Sequence, residues 1–345
     1  MIQRLRFGPV FILATAVLFS FILLSAQPGQ DEAGARKALK DSIHKAFEAR
    51  QISAAQGLIV EYRTKFPPSL DDPEYLFWET YDLAAFYSNA GQPEKAVEAW
   101  LSEHNKLPAF DVRYKTFATI EYAVPSYYEL HRTDECRSYF EEYRAKMMDK
   151  IASLSAVDNP SDAVKESLKL HQRHADKAAL CLKRLELYDK PAPALDFETV
   201  VNAKPFGLGD LRGKVVILDF WATWCGYCKL GYPMIRELRD EFKDRPFAAV
   251  GITSFQGTFA DEKLNLKETN ISKARELELT RKFAAAYGMD WPLAFLKTTV
   301  YDPGYTVNSL PFLIIIDKAG TVRQIISGHG HSGQVHLWVE RLLAK

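Results

Sequence analysis

The stretch 215–229, VVILDFWATWCGYCK, leaves few choices of fold. Val215, Val216, Ile217 and Leu218 form an unbroken apolar run with β-branched members, the pattern of a strand buried on both faces of a sheet. After a turn through 221–224, apolar residues return at Leu230, Met234, Ile235 and Leu238, as on one face of a helix. Cys225 and Cys228 therefore fall at a strand-to-helix junction.

That position carries chemistry. The first turn of a helix has backbone N–H groups without intrahelical partners and the positive end of the macrodipole, both of which favour a thiolate over a thiol. In C-x-x-C pairs at helix N-termini the thiol pKa falls from ~8.5 to roughly 3.5–7.5. Cys225, the first of the pair, is the candidate nucleophile. Cys228, on the same helical face, is placed to attack a mixed disulfide formed at Cys225 and release the partner. Asp219, at the end of the strand, directs a carboxyl group behind the pair, where burial raises its pKa and lets it take the proton from Cys228.

The run Asp219-Phe-Trp-Ala-x-Trp-Cys-x-x-Cys228, with Leu310-Pro311 far downstream, resembles the thioredoxin superfamily. Three more stretches are similar to the TlpA/ResA type of bacterial envelope thiol–disulfide oxidoreductase: PAPALDF at 191–197, Gly213-Lys214, and FLIIIDKAG at 312–320. The resemblance extends from Pro191 to the end of the chain. It implies an α/β thioredoxin fold, a central mixed sheet flanked by helices, over 189–345, with no cofactor and no metal. It also implies that Pro311 is a cis-proline packed against the disulfide, leaving the backbone of Leu310 free to pair with an extended substrate strand beside Cys225. Trp224, Gly226, Tyr227 and Leu310 are then the candidate substrate contacts. The implied partners are disulfide-containing envelope proteins and a membrane thiol that donates electrons. The family often has Thr after the proline, whereas Phe312 stands here, which bears on substrate preference.

The N-terminal half is of another kind. Arg4 and Arg6 precede an uncharged stretch, apolar through Leu24 and closed by Ser25-Ala26. Residues 1–26 thus read as a secretory signal peptide, or as an uncleaved anchor of about membrane-spanning length. Either reading exports the rest, to the bacterial periplasm or the outer face of the inner membrane. Residues 31–188 read as an all-α domain of helical hairpins. Leu83, Ala84, Tyr87, Gly91, Ala96, Trp100 and Pro108 fit the spacing of a tetratricopeptide unit, where small residues let two helices approach. Tyr127, Cys136 and Phe140 echo Tyr87, Ala96 and Trp100 forty residues on, against a usual period of about 34. His131 stands in the echo where Gly91 stood, so the unit is a helical hairpin rather than one step of a regular array. Its aromatics, Trp78, Tyr81, Tyr87, Trp100, Tyr127 and Tyr128, read as packing between helices, and a peptide or protein partner on a concave face is the functional alternative.

Cys136 and Cys181 are open to two readings, a structural disulfide or two buried thiols. His171 and His174, three apart on a helix over 161–188, read as a solvated polar face. Pro191 and Pro193 read as a short stiff linker. Residues 255–270 read as a polar, irregular insertion ahead of a helix over 271–287 closed by Gly288; Gln256, Phe259, Asp261 and Glu262 either shape the partner surface, as the resemblance implies, or belong to a solvated loop with no role. In the tail, His329 and His331 form an H-x-H pair, taken as a loop before a helix over 334–343. Copper-delivery proteins of this superfamily use C-x-x-x-C rather than the C-x-x-C found here, which speaks against metal.

With 44 basic and 44 acidic side chains in 345 residues and no charged block, nucleic acid is not the expected partner. The function expected is reduction, or isomerisation, of disulfides in exported proteins. The alternative is an adaptor whose helical domain recruits a partner while the redox domain tethers or senses it. A thiol peroxidase, with P-x-x-x-T-x-x-C, fits less well: Thr223 lies two residues before Cys225 rather than three, and the proline is missing.

Overall fold

The computed structural model of the chain describes residues 28–49, 51–66, 84–106, 124–302 and 304–345. The segment 1–26, expected to be a signal peptide or an anchor, lies outside the described residues, as do Trp78, Tyr81, Leu83 and Pro108. Among the described residues no helix is long and apolar enough to cross a membrane.

The first part is helical: α1 (Pro28–Glu48), α2 (Ile52–Lys65), α3 (Pro93–Lys106), α4 (Thr133–Ser155) and α5 (Asp162–Leu187), with further helical turns at 84–89 and 124–129. The turn before α3 has Gly91 at φ +66°, and the turn before α4 has His131 at φ +56°. The two turns are the same shape forty residues apart, so His131 does not break the echo. Histidine is one of the side chains that enter the left-handed region more readily than most. Tyr87, Trp100, Tyr127 and Tyr128 are all buried, with Trp100 edge-on to Tyr127 at 6.3 Å, and Ser88 and Ser126 join the two turns through hydroxyls 3.0 Å apart.

Helices α4 and α5 form a long hairpin in which Cys136 lies opposite Cys181 and Tyr143 opposite His174. Cys136 and Cys181 are two buried thiols, not a disulfide. Burial raises the pKa of both, which keeps them neutral. His171 and His174 are also buried, contrary to a solvated face. His174 Nδ1 lies 2.6 Å from the Tyr143 hydroxyl, and His171 Nδ1 2.7 Å from the carbonyl of Ser167. The reason is the breadth of the α5 face covered by its neighbours, which takes in His171, His174, Lys177 and Arg184 along with Ala175, Ala178 and Cys181.

The second part is a mixed six-stranded sheet in the order β1-β6-β3-β2-β7-β8. Its strands are β1 (Phe197–Val201), β2 (Val215–Phe220), β3 (Phe247–Ser254), β6 (Leu293–Leu296), β7 (Phe312–Ile316) and β8 (Val322–Ser327). β2 runs parallel to β3, and β3 to β6, while β1, β7 and β8 are antiparallel to their neighbours. Helices α6 (Gly226–Glu241), α7 (Lys273–Tyr287) and α8 (Ser332–Ala344) pack against it. This is the thioredoxin fold.

The insertion after β3 is ordered rather than irregular. It forms a hairpin of β4 (Thr258–Asp261) and β5 (Leu266–Thr269), short strands whose four residues each carry little sequence signal. Phe259 and Asp261 face inward and are buried, so neither borders a partner surface. The Asp261 carboxylate lies 2.6 Å from Lys229 Nζ on α6 and accepts from the Tyr287 hydroxyl on α7 at 2.8 Å. Those contacts outweigh its burial and hold its pKa below the usual carboxylate range.

The two parts are seated on one another. The linker is laid along β8: Asp189 N donates to Val322 O, Val322 N to Lys190 O and Ala192 N to Gly320 O. Tyr128 stacks on Tyr188 at 4.1 Å, and Tyr188 donates its hydroxyl to Gln324 of β8 at 2.8 Å. Buried Asn89 reaches the start of α8, donating to Gly330 O at 2.7 Å and accepting from Gln334 N at 3.1 Å. Gly333 fits there because a Cβ would lie 2.6 Å from the backbone oxygen of Asn89. Gly333→Ala must push the helical part off α8 and is expected to cost about 1–3 kcal/mol, read as a lowered urea midpoint. An unchanged midpoint would mean that the two parts are not pressed together there.

Candidate active site

Strand β2 is buried along its whole length, and Asp219 pairs with Gly251 on one side and Leu313 on the other. Beyond Phe220 the chain leaves the sheet through Trp221, which is fully buried and stacks on Phe283 at 5.5 Å. Gly251 makes room for it: a Cβ on that residue would lie 2.8 Å from Trp221 Nε1. The chain then turns, with Cys225 N donating to Ala222 O at 3.1 Å, and α6 begins.

Cys225 is the N-cap of α6, and its Sγ accepts a hydrogen bond from Cys228 N at 3.2 Å. Cys225 and Cys228 form a disulfide with Cα atoms 5.3 Å apart. After reduction the same amide faces the Cys225 sulfur, where a thiolate gains from the hydrogen bond and from the helix dipole. Both cysteines are buried, yet the surface around them is apolar and open: Trp224, Tyr227 and Leu230 are 46%, 59% and 65% exposed. An exposed apolar cluster of this kind on a redox helix suits contact with another protein. Gly226, between the cysteine and Tyr227, meets no neighbour that a Cβ would strike.

The other side of the disulfide is formed by the loop before β7. Leu310–Pro311 is a cis peptide bond, and Pro311 O accepts from Gly328 N at 2.9 Å. That bond brings in the loop 328–331. Gly328 at φ +87° and Gly330 at φ +85° bracket His329, whose ring stacks on Tyr227 at 4.3 Å. The Gly-His-Gly pattern is the sequence signal for this turn, because both flanking residues take a positive φ that glycine adopts at no steric cost. Burial pushes its pKa down, with the nearby His44 of α1 acting in the same sense. The neighbouring His331 is buried and falls to about 3 for the same reasons, the charge of His329 adding to them. Among the described residues no group of three His, Cys, Asp or Glu side chains is arranged to hold a metal ion.

Gln256 does border the site. It accepts from Trp224 Nε1, and its own backbone N–H donates to the buried Glu276 of α7 at 3.0 Å. Behind the disulfide a cavity of about 780 Å³ is lined by Asp219, Cys228, Pro311, Met234 and His331, and by His44 and Phe47 from α1. Asp219 is buried, and burial raises its carboxyl to about 7. A carboxyl so placed can take or give a proton near neutral pH.

Because the folded-state value lies above the unfolded one near 3.9, Asp219 adds nothing against folding below about pH 4. Its cost grows as pH rises towards about 7, where the carboxyl must ionise in the folded chain. In the oxidised protein, the stability of Asp219→Asn relative to wild type should therefore improve by on the order of 4 kcal/mol between about pH 4 and pH 8, read by urea unfolding. A difference that does not change with pH would show that the carboxyl titrates normally.

A family profile described as AhpC/TSA family matches residues 189–325. The thiol-disulfide oxidoreductase ResA of Bacillus cereus is 28% identical over 144 residues, 42% of this chain and 72% of the relative. The thioredoxin-like protein YneN of Bacillus subtilis is 30% identical over 138 residues, 40% of this chain and 69% of the relative. A solved structure of a thiol-disulfide isomerase from Corynebacterium glutamicum aligns with 45% of this chain and 97% of its own at 21% identity and a TM-score of 0.36. Together with the sheet order and the redox pair at the head of α6, the similarity to YneN and ResA makes this chain a member of the thioredoxin-like family of thiol–disulfide oxidoreductases.

Proposed function

We propose that the protein is exported and reduces or isomerises disulfides in other envelope proteins by exchange through Cys225. The observation that carries this reading is a disulfide whose first sulfur caps α6, flanked by cis-Pro311 and ringed by exposed Trp224, Tyr227 and Leu230. In the reduced protein the Cys225 thiolate attacks a sulfur of the substrate disulfide. A mixed disulfide forms, and the other substrate sulfur leaves as a thiolate that takes a proton from water. Cys228 then gives its proton to Asp219 and attacks Cys225 Sγ, which breaks the mixed disulfide and frees the second substrate thiolate. The substrate has gained two electrons, and the Cys225–Cys228 disulfide has formed. Leu310 and Pro311 receive the substrate backbone, while Trp224, Gly226 and Tyr227 provide the surface it lies on.

Turnover requires a thiol donor to return electrons to Cys225, and no cofactor takes part. In the periplasm, or at the outer face of the inner membrane, that donor is a membrane thiol protein. The basic start and apolar run of residues 1–26, the pattern of a signal peptide or anchor, support the location, and the similarity to ResA, named as a thiol-disulfide oxidoreductase, supports the reaction.

Cys225→Ser should abolish exchange, whereas Cys228→Ser should keep the first step and accumulate the mixed disulfide, visible by non-reducing electrophoresis. An adaptor would keep its partner in Cys225→Ser. Equilibration with glutathione or dithiothreitol fixes the direction: a potential near ~−270 mV or lower marks a reductase, and one near ~−120 mV an oxidant or isomerase.

A further inference from the structure

Arg184 belongs to the helical part, on α5, and is buried against the redox domain. Its Nε donates to Thr306 Oγ1 at 3.2 Å, and its Nη2 donates to Asn308 Oδ1 at 2.8 Å and to Thr306 O at 3.4 Å. The same group lies over the face of Phe312, 4.9 Å from the ring centre. Thr306 and Asn308 precede Leu310–Pro311, and Phe312 follows it. One cation therefore grips the chain on both sides of the residues that meet a substrate backbone.

Two features tie the loop's shape to this grip, which acts beside the bonds that Tyr305 N and Val307 N donate to Asp302 at 3.0 and 2.9 Å. Thr306 is β-branched yet sits at φ +58°, a conformation such a side chain keeps only when its surroundings hold it there. Its hydroxyl and carbonyl are both held by Arg184. The ring of Phe312, directly after Pro311, supplies the surface on which the guanidinium rests. A lysine could not replace this arrangement, since a point charge lacks the planar fork that spans Thr306 and Asn308.

We propose that Arg184 is a positioning residue through which the helical part holds the 306–311 loop ready to receive the backbone of a protein substrate. The proposal rests on exchange through Cys225 and adds to it a role for the helical part. The loop acts on substrates that offer a peptide strand; a disulfide without a backbone has no use for it.

The test compares insulin, a protein disulfide, with 2-hydroxyethyl disulfide, which has no peptide group, using the full chain with dithiothreitol as reductant. Arg184→Met should raise KM for insulin about tenfold with kcat little changed, and leave both the rate with 2-hydroxyethyl disulfide and the Cys225–Cys228 potential as in wild type. Arg184→Lys should restore only part of the loss. Asn308→Ala, on an exposed residue and so gentle to folding, should raise KM in the same direction by less. Tyr188→Phe is the control: it removes the bond to Gln324 in the same seam and should lower stability with KM unchanged.

The proposal is overturned if insulin KM stays at the wild-type value in both Arg184→Met and Asn308→Ala, if 2-hydroxyethyl disulfide suffers the same loss, or if Tyr188→Phe reproduces the rise. A wild-type chain that turns over neither disulfide would instead overturn the exchange reading, and this inference with it.

Discussion

Strand β2 lies between β3 and β7 with every side chain buried, so the point where it leaves the sheet fixes where α6 can begin. Trp221 locks that exit by filling the space over Gly251, and the N-cap position of Cys225 follows from it. The same strand delivers Asp219 into the cavity behind the pair. β7, antiparallel to β2, begins directly after Pro311, which brings the cis-proline to the level of the cysteines. Cys225, the buried carboxyl and the proline loop thus derive their positions from one strand and its partner.

The helical part is bound into this arrangement by polar contacts as well as apolar ones. Asn89, Tyr188 and Arg184 are buried and each bonds across to the redox domain. A buried polar group that loses its partner costs about 1–3 kcal/mol, so the seam resists opening even where little apolar area would be exposed. The linker hydrogen-bonded along β8 removes the freedom a Pro-rich connector would otherwise give. Two of these anchors end beside the site: Asn89 on Gly330 and the first turn of α8, and Arg184 on 306–308.

How far the sequence could be read follows from whether a signal was local. The buried strand, the C-x-x-C helix, Asp219 and Leu310-Pro311 were legible because each is a short pattern tied to one backbone shape. The hairpin 258–269 was not, since its order comes from Asp261 meeting Lys229 and Tyr287 from other elements. His171 and His174 read as solvated in the sequence because polarity alone does not tell how much of α5 its neighbours cover. Cys136 and Cys181 face each other in the α4–α5 hairpin as neutral thiols, a choice that spacing alone left open. His131 in place of Gly91 reads as a break in the echo, yet a histidine tolerates the left-handed turn and keeps its shape. Arg184 left no trace in sequence, as its partners lie more than 120 residues away.

Reducing the Cys225–Cys228 disulfide takes two electrons and adds protons to the sulfurs, so any group that exchanges protons with them shares in the potential. Asp219 stands near neutrality for one reason, burial. The cavity it faces is closed in part by His44 and Phe47 of α1, and α1 is packed in turn against α8. That cavity therefore draws its walls from both parts of the chain, more than 170 residues apart in sequence. A tenfold change in a protonation equilibrium is ~1.4 kcal/mol, which for a two-electron couple is ~30 mV. Only the difference in the carboxyl's protonation equilibrium between the oxidised and the reduced protein enters the potential, so the walls that bury Asp219 bear on the redox chemistry to the extent that they favour its proton in one state over the other.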